Sequence, residues 1–147
     1  MGKLILPSSG FVYVDTNAII YSVEKIDPYQ LILQPIWLAA QAGHFTVVSS
    51  ELTLLESLIK PLQNADTILE ASFRTLLLGS QEVRLIPISR SVLETAARLR
   101  ATTGIKTPDA IHAATAMVAG CAVFITNDKD YHRIPGLPVE VLSEITS

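Results

Sequence analysis

Five short runs of apolar, largely β-branched residues recur along the chain, and what separates them is built like helix. The runs are 11–15, 45–48 (FTVV), 83–86 (VRLI), 122–126 (AVFIT) and 139–142 (VEVL). Together they read as continuous rather than alternating, so they need cover on both faces, as strands of a parallel sheet do. The intervening segments supply that cover. The pattern predicts a single three-layer α/β domain.

The helices have legible ends. Asp27 and Pro28 read as the cap and first turn of a helix over 28–42 that stops at Gly43. Ser49 or Ser50 opens the next, with Leu52, Leu55, Leu58 and Ile59 as its buried stripe and Pro61 as its break. A third covers 64–78 and stops at Gly79. Ser91-Val92-Leu93-Glu94 reads as a capping box for a fourth, which ends near Gly104 with Arg98 and Arg100 in its last turns. Thr107-Pro108-Asp109 starts a fifth, ending at Gly120.

Into the first apolar run the sequence places an acid: FVYV is followed by Asp15, Thr16 and Asn17. Ligands of an open parallel sheet bind beyond the carboxyl ends of its strands. Asp15 ends the first strand and Asp128 follows AVFIT, so parallel strands bring both to one edge. Asp109 sits in the first turn of its helix, where an acid also complements the helix dipole. Glu56 falls on or beside the inward face of its helix, and a lone buried carboxylate is costly. Glu51, at the start of that helix, reads as a surface acid, yet competes for the role of Glu56 if the helix phase is misjudged. Asp130 competes in the same way with Asp128.

Two unit charges ~4 Å apart repel by about 4 kcal/mol at an effective dielectric of 20, so such a cluster calls for a cation. Oxygen ligands without Cys or His select Mg²⁺ or Mn²⁺, which suits attack of metal-activated water on a phosphodiester. Thr126 and Asn127 are short polar groups able to orient a carboxylate or a water. Lys129 and Arg133 lie where a phosphate backbone would pass, or form a polar surface turn. His112, three residues after Asp109, and His132 are weak general-acid candidates, and His112 reads more readily as packed among its alanine neighbours.

Composition narrows the setting. The 147 residues are 49% hydrophobic with mean hydropathy +0.39, which leaves apolar surface for a partner. No apolar run reaches the ~18 residues of a membrane span, and Leu4-Ile5-Leu6 is too short for a signal core. One cysteine, Cys121, allows no internal disulfide and points to a reducing, cytoplasmic setting. With no CxxC and three scattered histidines a structural zinc site is not expected. The net charge of −3 argues against nonspecific coating of nucleic acid but permits a local basic rim.

Taken in order, VYVDTNAII, SSELTLLESLIKP, TPDAIHAATA and VFITNDKDYHRIPGLPVEVL resemble the PIN-domain family, and within it the VapC-type toxins of prokaryotic toxin–antitoxin pairs. The resemblance spans nearly the whole chain, with residues 1–10 as a leader to one domain over 1–147. It implies a three-layer α/β/α fold around a five-stranded parallel sheet and a Mg²⁺- or Mn²⁺-dependent ribonuclease. It places the family's acids at Asp15, Glu56, Asp109 and Asp128, a hydroxyl residue at Thr126 and a polar residue at Asn17. It also implies a homodimer and an antitoxin whose C-terminal segment covers the acidic site. The apolar helix carrying Tyr29, Leu31, Ile32, Leu33, Ile36, Trp37 and Leu38 then lines the partner groove with the Glu56 helix, or is simply core.

Other strand-end aspartates fit less well. A haloacid-dehalogenase-like phosphatase needs a second acid where Asn17 stands, a receiver domain needs paired acids before its strand-end Asp, and GxxxxGK[ST] is absent. The rival from another class is a catalytically silent PIN-fold binding module.

Overall fold

The computed structural model describes residues 4–145. Strand β1 (Phe11–Val14) leads into α1 (Thr16–Val23) and α2 (Tyr29–Gln41), then β2 (Thr46–Ser50), α3 (Glu51–Gln63) and α4 (Thr67–Arg74). A π-helical turn (Thr75–Gly79) extends α4, and β3 (Val83–Ile86), α5 (Arg90–Thr103), α6 (Thr107–Ala119) and β4 (Val123–Thr126) follow. A 3-10 turn (Lys129–Arg133), β5 (Val139–Val141) and α7 (Leu142–Ile145) close the chain.

All five strands are parallel, in the order β3-β2-β1-β4-β5. The chain therefore winds outward from β1 to β3, crosses back, and winds the other way through β4 and β5. The reversal lies between β1 and β4, where the crevice of a doubly wound sheet opens.

Both faces are covered, which is why the strands read as unbroken apolar runs. Val12 and Val14 face one core with Val47, Val123 and Ile125, under Ala18, Ile19, Leu33, Ile36, Leu58, Phe73 and Leu142. Tyr13, between the two valines, faces the other core with Val48 and Phe124, beneath Val92, Ala96, Leu99, Ala110 and Ala113. The period of two that a pleated strand imposes thus splits one tetrapeptide between two layers. Tyr13 and Phe124 are directly paired across β1 and β4, and their rings stack at 4.8 Å.

Several helix ends differ from expectation. Asp27 caps nothing, because α2 begins after Pro28 without a side-chain cap. Helix α3 runs through Pro61 to Gln63: a proline clashes with the turn before it, but here it sits in the last turn and its ring is buried. The third helix starts later, capped by Asp66, and Gly79 ends its π turn rather than an α-helix. Ser89, not Ser91, caps α5, accepting from Val92 N–H, so there is no capping box. Thr107 does not cap α6; its hydroxyl accepts from Arg100 Nη1 at 2.9 Å. Most of the apolar excess on α2 is core or packed against it, and only Leu31 and Leu38 of the seven are exposed. Of the leader segment 1–10, Leu4 and Leu6 are partly buried against the first of these cores, and residues 1–3 lie outside the described residues.

Gly104 ends α5 in the left-handed region at φ 72°. An added Cβ would meet nothing nearer than Arg133 Nη2 at 3.8 Å, so the cost of a side chain here is backbone strain. Gly104→Ala is expected to lower unfolding stability by about 1 kcal/mol in a urea titration. An unchanged midpoint would mean that this helix end relaxes freely.

Candidate active site

Asp15 is buried, at 4% exposure, where β1 stops. Its backbone N–H continues the sheet ladder to Ile125 O at 3.1 Å, and the next residue already belongs to α1. One carboxylate oxygen, Oδ1, accepts from Ala18 N–H at 3.0 Å and so caps α1. The other, Oδ2, accepts from Thr126 Oγ1 at 2.6 Å. Burial pushes this carboxyl above its usual value, and those two hydrogen bonds, with the neighbouring His112, offset only part of the effect.

Thr126 ends β4 fully buried and works as a junction. While its hydroxyl donates to Asp15, its oxygen accepts from Asp128 N–H at 3.0 Å, which fixes the turn carrying Asp128. Asp128 Oδ1 in turn accepts from Asp130 N–H at 2.9 Å. Asp109 comes from the first turn of α6, and its Oδ1 accepts from Tyr131 Oη at 3.2 Å. Half-burial, and then the charge of Asp128, raise its carboxyl. The start of α6 is held by Arg100, whose Nε donates to Ile105 O at 2.9 Å.

The fourth acid reaches the cleft through an inverted helix face. Helix α3 buries Thr53, Ser57, Leu58 and Pro61, while Leu55 and Ile59 of the expected apolar set, and Leu62 beyond it, are exposed. Glu56 does face inward, but beside Thr53 and Ser57 rather than within a leucine stripe. Hydroxyls hold that face to the sheet: Ser49 donates to Val14 O at 2.6 Å, so the 2.7 Å contact between Ser49 and Thr53 runs from Thr53. Glu56 Oε1 accepts from Thr16 Oγ1 and from His112 Nε2, each at 2.7 Å. Burial alone would raise this carboxyl, but the bonds from His112 and Thr16 outweigh it and hold it below the usual value.

These side chains line one cavity of about 210 Å³ at the carboxyl edge of the sheet, built from Asp15, Thr16, Asn17, Ile20, Glu56, Asp109, His112, Asp128 and Tyr131. Larger clefts exist elsewhere among the described residues, one of about 630 Å³ at the opposite edge around Trp37 and His44, whose lining includes a single acid, Glu82. Asn17 is exposed at the cavity mouth. Thr126 supports the cavity from beneath.

The remaining candidates stand outside it. Glu51 is exposed, and its Oε1 accepts from Ile88 N–H at 3.4 Å, so it does not compete with Glu56. Asp130 is exposed and meets the acids only through its backbone N–H. Asn127 ties two helices to the strand end, donating to Tyr21 Oη at 3.2 Å and accepting from Ser143 N–H at 2.8 Å. Arg133 donates to Thr103 O at 2.7 Å, across the end of α5, and Lys129 is exposed beside Asp128. His132 pairs with Glu144 at 2.8 Å.

His112 is what sequence reasoning undervalued. It is 3% exposed, yet it is not packed among alanines alone: its two nitrogens join Tyr13 and Glu56. The signal was available, since a tyrosine inside an otherwise dry strand must find a partner for its hydroxyl. Nothing in the sequence distinguished Thr16 or Ser49.

The donor set is all oxygen and anionic, the chemistry of a hard divalent cation. Among the described residues no three His, Cys, Asp or Glu side chains are arranged to hold an ion together as they stand. That remains compatible with Mg²⁺, which usually takes one or two carboxylates and fills its shell with water. Mutual repulsion between Asp109 and Asp128 is the cost such an ion would relieve.

A doubly wound parallel sheet with acids from four elements at its reversal point defines an α/β protein with an anionic cleft. The family model described as PIN domain matches residues 12–137, and the chain belongs to that family. It is similar to the structure of VapBC2 from Rickettsia felis bound to a DNA fragment from their promoter, with TM-score 0.72 and 19% identity over 89% of this chain and 98% of that one. A toxin–antitoxin complex from Klebsiella pneumoniae matches with TM-score 0.64 and 25% identity over 88% of this chain and 96% of that one. VapBC-1 from nontypeable Haemophilus influenzae matches with TM-score 0.63 and 21% identity over 90% and 98%. No curated protein sequence matches the chain.

Proposed function

We propose that the chain is a Mg²⁺- or Mn²⁺-dependent endoribonuclease, the VapC-type toxin of a toxin–antitoxin pair. The observation that carries this reading is the convergence of Asp15, Glu56, Asp109 and Asp128 on one cavity at the switch point of the sheet. The family match and the toxin–antitoxin complexes among its structural relatives support it.

Asp109 and Asp128 are the natural direct ligands, with Asp15 reaching the ion directly or through water. Both Asp15 oxygens are already engaged, which favours the second role. The ion, when bound, activates water and polarises the scissile phosphate. Glu56, held ionised by its hydrogen bonds, would accept a hydrogen bond from the attacking water, orient it for in-line attack, and take its proton as the new P–O bond forms while the leaving 3′ oxygen is protonated by solvent. Cleavage is expected to leave a 5′-phosphate and a 3′-hydroxyl, as the family resemblance implies, and water as the nucleophile leaves no 2′,3′-cyclic phosphate. Lys129 remains the cation best placed for a phosphate. Arg133, engaged with α5, serves there only by leaving that carbonyl.

Partners follow from the surface. Leu55, Ile59 and Leu62 form an exposed apolar stripe on α3, with Ile68 of α4 beyond it. Such a stripe suits an antitoxin segment or a second copy of the chain. Among the described residues no helix is long and apolar enough to cross a membrane, and we place the protein in the cytoplasm as a homodimer.

The deciding experiment is cleavage of a mixed tRNA and rRNA pool by partner-free protein with Mn²⁺, beside EDTA and Asp128→Asn controls. Discrete fragments lost in both controls are expected. A 2′,3′-cyclic phosphate at the new end would sink the mechanism. The second reading is a silent binding module, since among the described residues no three acids stand ready to hold an ion together, and the joint lack of cleavage and of Mn²⁺-induced stabilisation would select it.

A further inference from the structure

Three polar groups in the dry interior form a chain that ends on Glu56. Tyr13 Oη lies 2.6 Å from His112 Nδ1, and His112 Nε2 lies 2.7 Å from Glu56 Oε1. Tyr13 is fully buried and His112 nearly so. A hydrogen-bond inventory gives the chain its direction. An ionised carboxylate only accepts, so Nε2 carries a proton. In a neutral ring Nδ1 must then accept, and the phenol is its donor. The tyrosine oxygen meanwhile accepts from Ser50 N–H at 3.2 Å, which leaves its own proton for the imidazole.

Both bonds to Glu56, from His112 and from Thr16, end on Oε1. No hydrogen bond among the described residues reaches Oε2, and Glu56 lines the cavity. A carboxylate gripped by one oxygen offers the other in a set direction.

We propose that Tyr13 and His112 are positioning residues for Glu56: the phenol locks the imidazole as its Nε2–H tautomer, and the imidazole with Thr16 pins Oε1 so that Oε2 meets the attacking water. The catalytic half of this inference rests on the nuclease reading, whereas the tautomer stands on the fold alone. A histidine that only filled space would show no preference between Tyr13 and Glu56, and its loss would not act through them.

The test has two arms on the full chain. In metal-free protein, side-chain ¹⁵N spectra near pH 7 should show His112 protonated at Nε2 and bare at Nδ1. The opposite tautomer, or an imidazolium protonated at both nitrogens, overturns the proposal. In RNA cleavage, His112→Phe should lower kcat on the order of tenfold to a hundredfold with KM nearly unchanged, the scale of a misplaced reactive group. Tyr13→Phe keeps the ring stacked on Phe124 and should lower kcat severalfold, yet cost nothing further in the His112→Phe background. Additive losses, or losses confined to KM, overturn the relay. If His112→Phe does not fold, His112→Gln takes its place, with an amide N–H standing in for Nε2–H and activity between wild type and Tyr13→Phe/His112→Gln. Nε2–H tautomer in a protein that cleaves no RNA would remove the nuclease reading and leave the lock. Cleavage with the Nδ1–H tautomer would do the reverse.

Discussion

Asp109→Asn should cripple the protein and stabilise it at once. Metal-assisted phosphodiester hydrolysis draws several kcal/mol from the ion, so if Asp109 is the proposed direct ligand its loss should reduce RNA cleavage about a hundredfold or more. In EDTA the same change should raise the melting temperature near neutral pH. Burial and the charge of Asp128 lift the Asp109 carboxyl above its unfolded value, so its ionised form is the less stable one in the fold. For an acid raised in this way the favourable contribution is complete below the unfolded pKa and is lost as pH rises through the folded one. The advantage of the variant in EDTA should therefore be greatest at neutral pH and vanish as pH falls through the carboxylate range. Tyr131 can still donate to the asparagine carbonyl, which keeps the comparison clean. A melting temperature that falls in EDTA at pH 7 would make Asp109 a structural acid and weaken the metal reading.

The largest loss of stability is expected at Phe124. It is fully buried, stacks on Tyr13 at 4.8 Å, and meets the Tyr131 ring at 4.6 Å. Truncating a buried phenylalanine costs about 3–5 kcal/mol, through lost transfer energy and the cavity left behind. Phe124→Ala should cost that much in denaturant unfolding. It should also loosen both tyrosines that touch the acids, Tyr13 through His112 and Tyr131 through Asp109, so cleavage should fall even where the variant remains folded. A cost below about 1 kcal/mol would mean that the α5–α6 layer collapses into the gap.

What the sequence made legible was set by backbone chemistry. The strands surfaced because a sheet covered on both sides leaves unbroken apolar runs, and Asp15 and Asp128 surfaced because parallel strands end at one edge. Helix phase was the weak point. The leucines of α3 suggest a core stripe, yet Leu55, Ile59 and Leu62 face out, and the inward face is Thr53, Glu56 and Ser57. Glu56 faces inward as expected, but on a stripe of which Leu55 and Ile59 are exposed, because hydroxyl groups from Ser49 and Thr16 make a polar interior that no hydrophobic periodicity reveals. Helix starts failed for a related reason. Ser91 and Thr107 are good capping residues on paper, but Ser89 lay two positions earlier and Arg100 took the Thr107 hydroxyl. Lys129 and Arg133 illustrate a third limit: a basic residue near an acid in sequence need not line the cavity in space.

The double engagement of Asp15 gives the four acids unequal histories to expect. One oxygen begins α1 and the other receives Thr126, so an asparagine there can serve only one of the two, since its amide nitrogen donates. Asp128 supports only the local turn, through Asp130 N–H, which an asparagine carbonyl satisfies equally. A lineage drifting from enzyme towards binding module would therefore shed Asp128 early and Asp15 late. A descendant that has kept its strand-end aspartate is no evidence of retained chemistry.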